Sequence, residues 1–294
     1  MAHSHILLGA GSTPAQPAIR RISVADLKDA LARGFDDFLA VPTHAMFLCV
    51  IYPVIGLALA RLAFGYSILP LLYPLASGFA LIGPVAALGL YELSRRREAG
   101  LPASASHAFD VMRSSSIGAI VALGLLLFLV FMLWVASANA LYIATFGYAP
   151  PASAGAFLTD VFTTKAGWTL IVAGNLIGLV FAVLALTVSV VSFPLMLDRD
   201  VGAAVALWTS IRAVAANSLT MALWGLIVAV LLVLGSLPLF LGLTVVMPVL
   251  GHATWHLYRK VVEPSSSAPP TYRSPPKKRR YAADFPAVLF PWSR

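Results

Sequence analysis

Charge is scarce in this chain. Only 11% of its 294 residues are Asp, Glu, Lys or Arg, where a soluble domain carries about 25%. Stretches such as "SSSIGAIVALGLLLFLVFMLWVASANALYIATFG" carry no charged residue at all. Runs of this length exclude an ordinary soluble globule and indicate a polytopic membrane protein. Cysteine is scarcer still. The one copy, Cys49, excludes an internal disulfide and a thiolate metal cluster. It reads as a small buried apolar side chain.

Catalytic signatures are missing too. There is no GxSxG, no GxxxxGK(S/T), no GxGxxG, no HExxH and no CxxCH. No acid, lysine or arginine falls near the middle of an apolar segment, and Glu92 is the deepest acid. Intramembrane ionisable residues mark proton relays and ion sites, so a carboxylate-based pump or cation channel has nothing to work with. Asn139 and Asn175 are the main mid-membrane amides. The short apolar run "ILLGAGSTPA" breaks into Gly and Pro and does not make a signal peptide, so the first span is expected to act as its own insertion signal. No intrinsic catalytic activity is expected.

What is present is a series of apolar segments. A spanning helix needs about 20 mostly apolar residues, and six candidates run near 43–64, 68–93, 116–146, 165–197, 217–235 and 237–258. Of the 20 Lys and Arg residues, all but Arg61 and Lys165 fall on one side of the alternating topology. The positive-inside rule then puts both termini in the cytoplasm, with the spans expected in the inner membrane. The basic balance is explained by topology and anionic lipid, and needs no nucleic acid.

Before each odd-numbered span lies a segment with an apolar stripe at helical spacing, near 24–40, 103–115 and 201–215. Phe35, Phe38, Phe109, Met112, Trp208 and Ile211 are the expected interfacial anchors. The expected fold is therefore all-α: a polytopic membrane protein whose six transmembrane helices form three parallel repeats, each an interfacial amphipathic helix plus a helical hairpin. Residues 1–19 read as a flexible N-terminus, 20–263 as the membrane domain, and 264–294 as a Pro/Ser-rich cytoplasmic tail with the basic run Lys277, Lys278, Arg279 and Arg280. Pro84, Pro194 and Pro248 sit near the ends of their helices and invite kinks.

One segment combines several signals. "PVLGHATWHLYRK" places His252 and His256 four residues apart, on one face of a helix, with Trp255 and Tyr258 as belt residues. Two readings remain open. The first is a polar cytoplasmic cluster of Glu92, His252, His256, Tyr91 and Tyr258, in which the partners offset the cost of a carboxylate near hydrocarbon. The second is a haem or metal site using His44 with His252 or His256. No cofactor is expected on the first reading, and haem b is the cofactor on the second.

The segments "ISVADLKDALARGFDDF", "GPVAALGLYELSRRRE", "FPLMLDRDVGAAVALWTSIRAVAANSLTMALWG" and "MPVLGHATWHLYRKVV" resemble a bacterial integral-membrane family known as domain of unknown function 2189, over roughly residues 20 to 263. Some members of that family carry a cytochrome c oxidase subunit label. The resemblance implies the membrane architecture and, through that label, a place in a larger complex. The expected function is a non-catalytic membrane scaffold or accessory subunit of an inner-membrane, conceivably respiratory, complex with protein partners. A small-solute or lipid transporter and a b-haem protein stand as alternatives.

Overall fold

The computed structural model describes residues 17–43, 66–81 and 83–264. The first expected span near 43–64, with His44 and Cys49, and the tail with Lys277, Lys278, Arg279 and Arg280 lie outside the described residues. Among the described residues the regular structure is helical. The exception is an isolated antiparallel bridge between Ile19 and Val262. The α-helices are α1 (Val24–Ala40), α2 (Leu72–Leu81), α3 (Gly83–Ala86), α4 (Leu88–Glu98), α5 (Ile117–Phe146), α6 (Ala154–Thr163), α7 (Lys165–Ser189), α8 (Ser192–Asp198), α9 (Ala203–Ala216), α10 (Ser218–Ser236) and α11 (Leu243–Val261). Two 3₁₀ helices, Tyr66–Leu71 and Ala105–Arg113, precede α2 and α5.

Three described segments are long and apolar enough to cross a membrane: α5, Lys165–Asp198 (α7 continued into α8) and α10. At 1.5 Å per residue α5 is roughly 45 Å long, more than the ~30 Å of a hydrocarbon core. Its buried residues Ile120, Leu123, Leu127, Val130, Trp134, Ala138 and Tyr142 form one narrow stripe, and α5 packs on α2 and α7. Trp134 crosses to α2, donating from Nε1 to the Pro74 carbonyl at 2.8 Å. Its ring lies 5.8 Å from that of Phe181 on α7.

Two expected spans differ from the structure. The segment 68–93 opens in the first 3₁₀ helix, which ends at Leu71, and has a turn at Ala87 ahead of α4. Pro70, Pro74 and Pro84 fall within 15 residues, and each removes a backbone donor, which weakens a single regular helix over this stretch. The segment 237–258 becomes a turn followed by α11, which starts at Leu243. The C-terminal half of α11 is rich in polar and aromatic residues and is buried in protein: His252, Trp255, Leu257 and Tyr258 are all buried. Of the expected kink prolines, Pro84 lies three residues before the turn at Ala87, Pro194 sits just past the turn at Val190 and Val191, and Pro248 lies inside the continuous α11.

The buried core concentrates where α4, α8, α9 and α11 meet α1. This platform is where both described ends of the chain converge. Arg20 N–H donates to the Val261 carbonyl at 2.7 Å, and Glu263 N–H to the Ala18 carbonyl at 3.1 Å.

Candidate functional site

The site begins with two close helix approaches. On α1, Ser23 and Asp26 form a capping box that fixes the start of the helix. The buried face is then Leu27, Ala30, Gly34 and Asp37. A Cβ on Gly34 would lie 2.6 Å from the backbone of Ala253 on α11. On the other side of α11, a Cβ on Gly251 would lie 2.4 Å from Leu90 of α4. At Gly34 the neighbour is backbone that cannot yield, and at Gly251 it is the end of the Leu90 side chain, so α11 is held closely between α1 and α4. His252 sits between these two contacts in sequence and has no exposed surface.

Ion pairs give the direction of the α1–α11 contact. Lys260 of α11 meets Asp29 at 2.8 Å and Asp26 at 3.4 Å near the start of α1. His252, further back on α11, approaches Asp37 near the end of α1 at 3.9 Å. The two helices therefore run in opposite directions. That brings one buried carboxylate onto both histidines.

A hydrogen-bond chain follows. Ser94 of α4 donates its Oγ proton to Asp37 Oδ2 at 2.5 Å. With that proton committed, the Ser94 oxygen accepts from His252 Nδ1 at 2.8 Å. His256 Nε2 donates to the same Asp37 Oδ2 at 2.8 Å. Arg97 of α4 pairs with Asp37 Oδ1. Burial alone would raise the Asp37 carboxyl. The hydrogen bonds from His256 and Ser94, with the electrostatic pull of the two neighbouring imidazole rings, outweigh burial and hold it below its ordinary value. Because His252 carries its proton on Nδ1, its Nε2 is a bare acceptor. That nitrogen is buried and has no hydrogen-bond partner among the described residues.

The residues of the expected polar cluster are placed as follows. His252 and His256 are brought together, but the carboxylate they share is Asp37 rather than Glu92. Glu92 is fully buried on α4 and held by Arg95 at 2.8 and 2.9 Å, with Arg96 at 3.8 Å. Tyr91 is buried beside it. Tyr258 donates to Asp198 of α8 at 2.6 Å. Asp198 also pairs with Arg199 at 3.5 Å and Arg259 at 3.4 Å. Arg259 in turn pairs with Glu98 at 2.9 Å, which accepts from Trp255 Nε1 at 2.9 Å. The sequence reading missed Asp37, Ser94 and Arg97. One signal was available for Asp37: it lies three residues after Gly34, on the small-residue face of α1 that runs through Ala30.

For the haem or metal reading, His44 lies outside the described residues. His256 already uses Nε2 on Asp37. Among the described residues, no group of three or more His, Cys, Asp or Glu side chains is arranged to hold a metal ion. The expected anchors take a different place from the buried faces. Phe35, Phe109, Met112 and Trp208 are exposed, while Phe38 and Ile211 are half-buried.

Residues 72–198 match the family model described as "Predicted integral membrane protein (DUF2189)". The match runs from the first residue of α2 to the last of α8, narrower than the 20–263 expected. It includes Ser94 and Arg97 and stops short of Asp37, His252 and His256. No curated protein and no solved structure matches the chain.

Proposed function

We propose that this integral membrane protein is a non-catalytic scaffold, an accessory subunit of a larger inner-membrane complex, with respiratory complexes the first to test. The carrying observation is how its polar and apolar groups are used. The buried polar groups of α1, α4, α8 and α11 are committed to one another across the platform. Large apolar side chains are turned outward instead: Leu176, Leu179 and Val183 on α7, Leu226 and Val233 on α10, and Trp208 on α9. A closed polar interior with an open apolar exterior suits a protein that holds others in place. The reading carries with it the arrangement in three units, with the basic platform, its histidines included, and both termini on the cytoplasmic side.

The test is purification from native membranes after mild cross-linking, with mass spectrometry of what comes along. A discrete complex is expected. The double variant Phe35→Asp/Trp208→Asp is expected to reduce its recovery by more than half, with the melting temperature held within a few degrees, because both side chains are exposed. Recovery of the wild-type chain as a lone species would overturn the reading.

A second reading, transport of a small solute or lipid, has one observation in its favour. A half-open cleft of about 270 Å³ lies at the end of the bundle away from the platform. Asn139, Tyr142 and Tyr148 are among the residues that line it. Solute flux in proteoliposomes that is lost in Asn139→Leu would favour this reading over the scaffold.

A further inference from the structure

The unpartnered nitrogen of His252 is the least explained polar atom of the platform. It ends a chain that joins three helices from distant parts of the sequence: His252 of α11, Ser94 of α4, Asp37 of α1, and back to His256 of α11. We propose that this chain is a proton-operated latch. With His252 neutral it fastens α1 to α11 and α4, and uptake of a proton at His252 Nε2 releases α1.

The surroundings explain why one proton is enough. A proton on Nε2 creates an N–H donor at an atom that makes no hydrogen bond, with the Leu90 carbonyl the backbone acceptor facing the ring, and a positive charge with no exposed surface. Leaving a buried donor unpaired is costly, and a buried charge more so. The charged and titratable groups facing the ring are Asp37 from α1, Arg97 from α4, and His256 from α11 itself. Asp37 is the one anion of that group, and Arg97 and His256 already pair with it. On α4, Glu92 is held by Arg95. On α8, Asp198 is engaged with Tyr258 and Arg259. Helix α10, which also packs on α11, has no ionisable residue.

Helix α1 is the element free to leave. Its buried face offers Ala30, Gly34 and a single large side chain, Leu27, so polar pairing carries much of its attachment. Its other links to α11, Lys260 to Asp26 and Asp29, are partly solvated and add little.

The histidines lie in the platform, outside the three spanning segments. Burial pushes the His252 imidazole down to about 4, against the pull of Asp37 and the Leu90 carbonyl. The released chain would protonate near the ordinary 6.5. Attachment is therefore complete above about pH 6.5 and is lost progressively as pH falls toward 4.

The experiment is hydrogen–deuterium exchange on the full-length protein in lipid nanodiscs at pH 7.5 and pH 5.0, corrected for the intrinsic rate. The protection of residues 24–40 is expected to fall at least tenfold at pH 5.0, while α5, α7 and α10 keep theirs. His252→Asn retains a side-chain N–H for Ser94 and cannot titrate, so its α1 protection is expected to be the same at both pH values. An equal loss in His252→Asn would overturn the latch. So would an unchanged wild-type α1, or a loss spread evenly over the spans. If the variant does not fold, nitrogen-15 NMR of histidine-labelled wild type decides. Nε2 of His252 must stay unprotonated while α1 is protected; a ring that protonates near pH 6.5 with α1 still protected overturns the proposal.

Discussion

At the scale of single residues, Asp37 is the position on which most depends. It is 5% exposed, yet it accepts from Ser94, His256 and Arg97, residues from two other helices. Replacing it with Ala would leave a serine, a histidine and an arginine facing a buried vacancy. Breaking a buried charge pair by removing one partner costs about 3 kcal/mol or more. Asp37→Ala is therefore expected to lower the unfolding midpoint in mixed micelles by that order, with a larger effect than Asp36→Ala one residue away on the exposed side of α1. Equal midpoints for the two variants would contradict the placement. The Asp37 carboxyl is held below its ordinary value, so its contribution is present above about pH 4 and is lost as acid carries the solution below that. That window lies below the one in which His252 would act, so the two titrations can be separated.

At the scale of elements, the helices were legible, and the small-residue faces on which they pack against one another were not. Periodicity placed α1 and α9 almost to the residue. It marked the stripe of large side chains as interfacial anchors, turned toward the bilayer or the foot of the bundle. In the structure the stripe beside it is buried: Ala30 and Gly34 on α1, and Ala206, Ser210 and Ala213 on α9. Small residues win at these crossings because they let the backbones approach closely and make continuous van der Waals contact. Bulky residues of the neighbouring stripe are left outside for lipid or a partner. This can be checked at Gly34. A methyl there meets backbone atoms of Ala253 that cannot yield, so Gly34→Ala is expected to cost ~1–3 kcal/mol and to raise exchange across α1. An unperturbed variant would mean that the two helices are not in contact. The segment 103–115 shows a related limit. It contains a 3₁₀ helix over Ala105–Arg113, with Ala108 and Val111 buried three residues apart. That spacing fits a 3₁₀ helix of three residues per turn as well as it fits an α-helix.

At the scale of the whole molecule, the described ends of the chain are fastened together. Residues 18–22 lie along the end of α11 and against Asn217. Its side chain accepts from the Ile22 N–H at 2.9 Å and donates to the carbonyls of Arg20 and Ala213, each at 3.1 Å. One buried amide thus links the N-terminal segment to the junction between α9 and α10. Asn217→Ala leaves two backbone groups of that segment without a partner, at a cost of about 1–3 kcal/mol. Faster proteolysis of residues 17–23 is expected, with the spanning helices still protected. A variant cleaved no faster than wild type would show that the clasp is held by other contacts.

The sequence by itself determined that this is an all-helical membrane protein, because apolar runs and the side-chain period are properties of one segment at a time. It also identified His252 and His256, since two histidines one helical turn apart share a face in any fold. What it could not supply was their partner. Asp37 and His252 are separated by more than 200 residues, and only the antiparallel packing of α1 on α11 makes them neighbours. Glu92 was the closest carboxylate in expected depth, but depth is one coordinate and a hydrogen bond needs three. The same applies to the segment 68–93, where the apolar pattern promised one regular helix and the described residues hold a 3₁₀ helix up to Leu71 and a turn at Ala87. Tertiary structure decided the site because the two glycines set how near the helices come, and that distance decided which polar atoms meet.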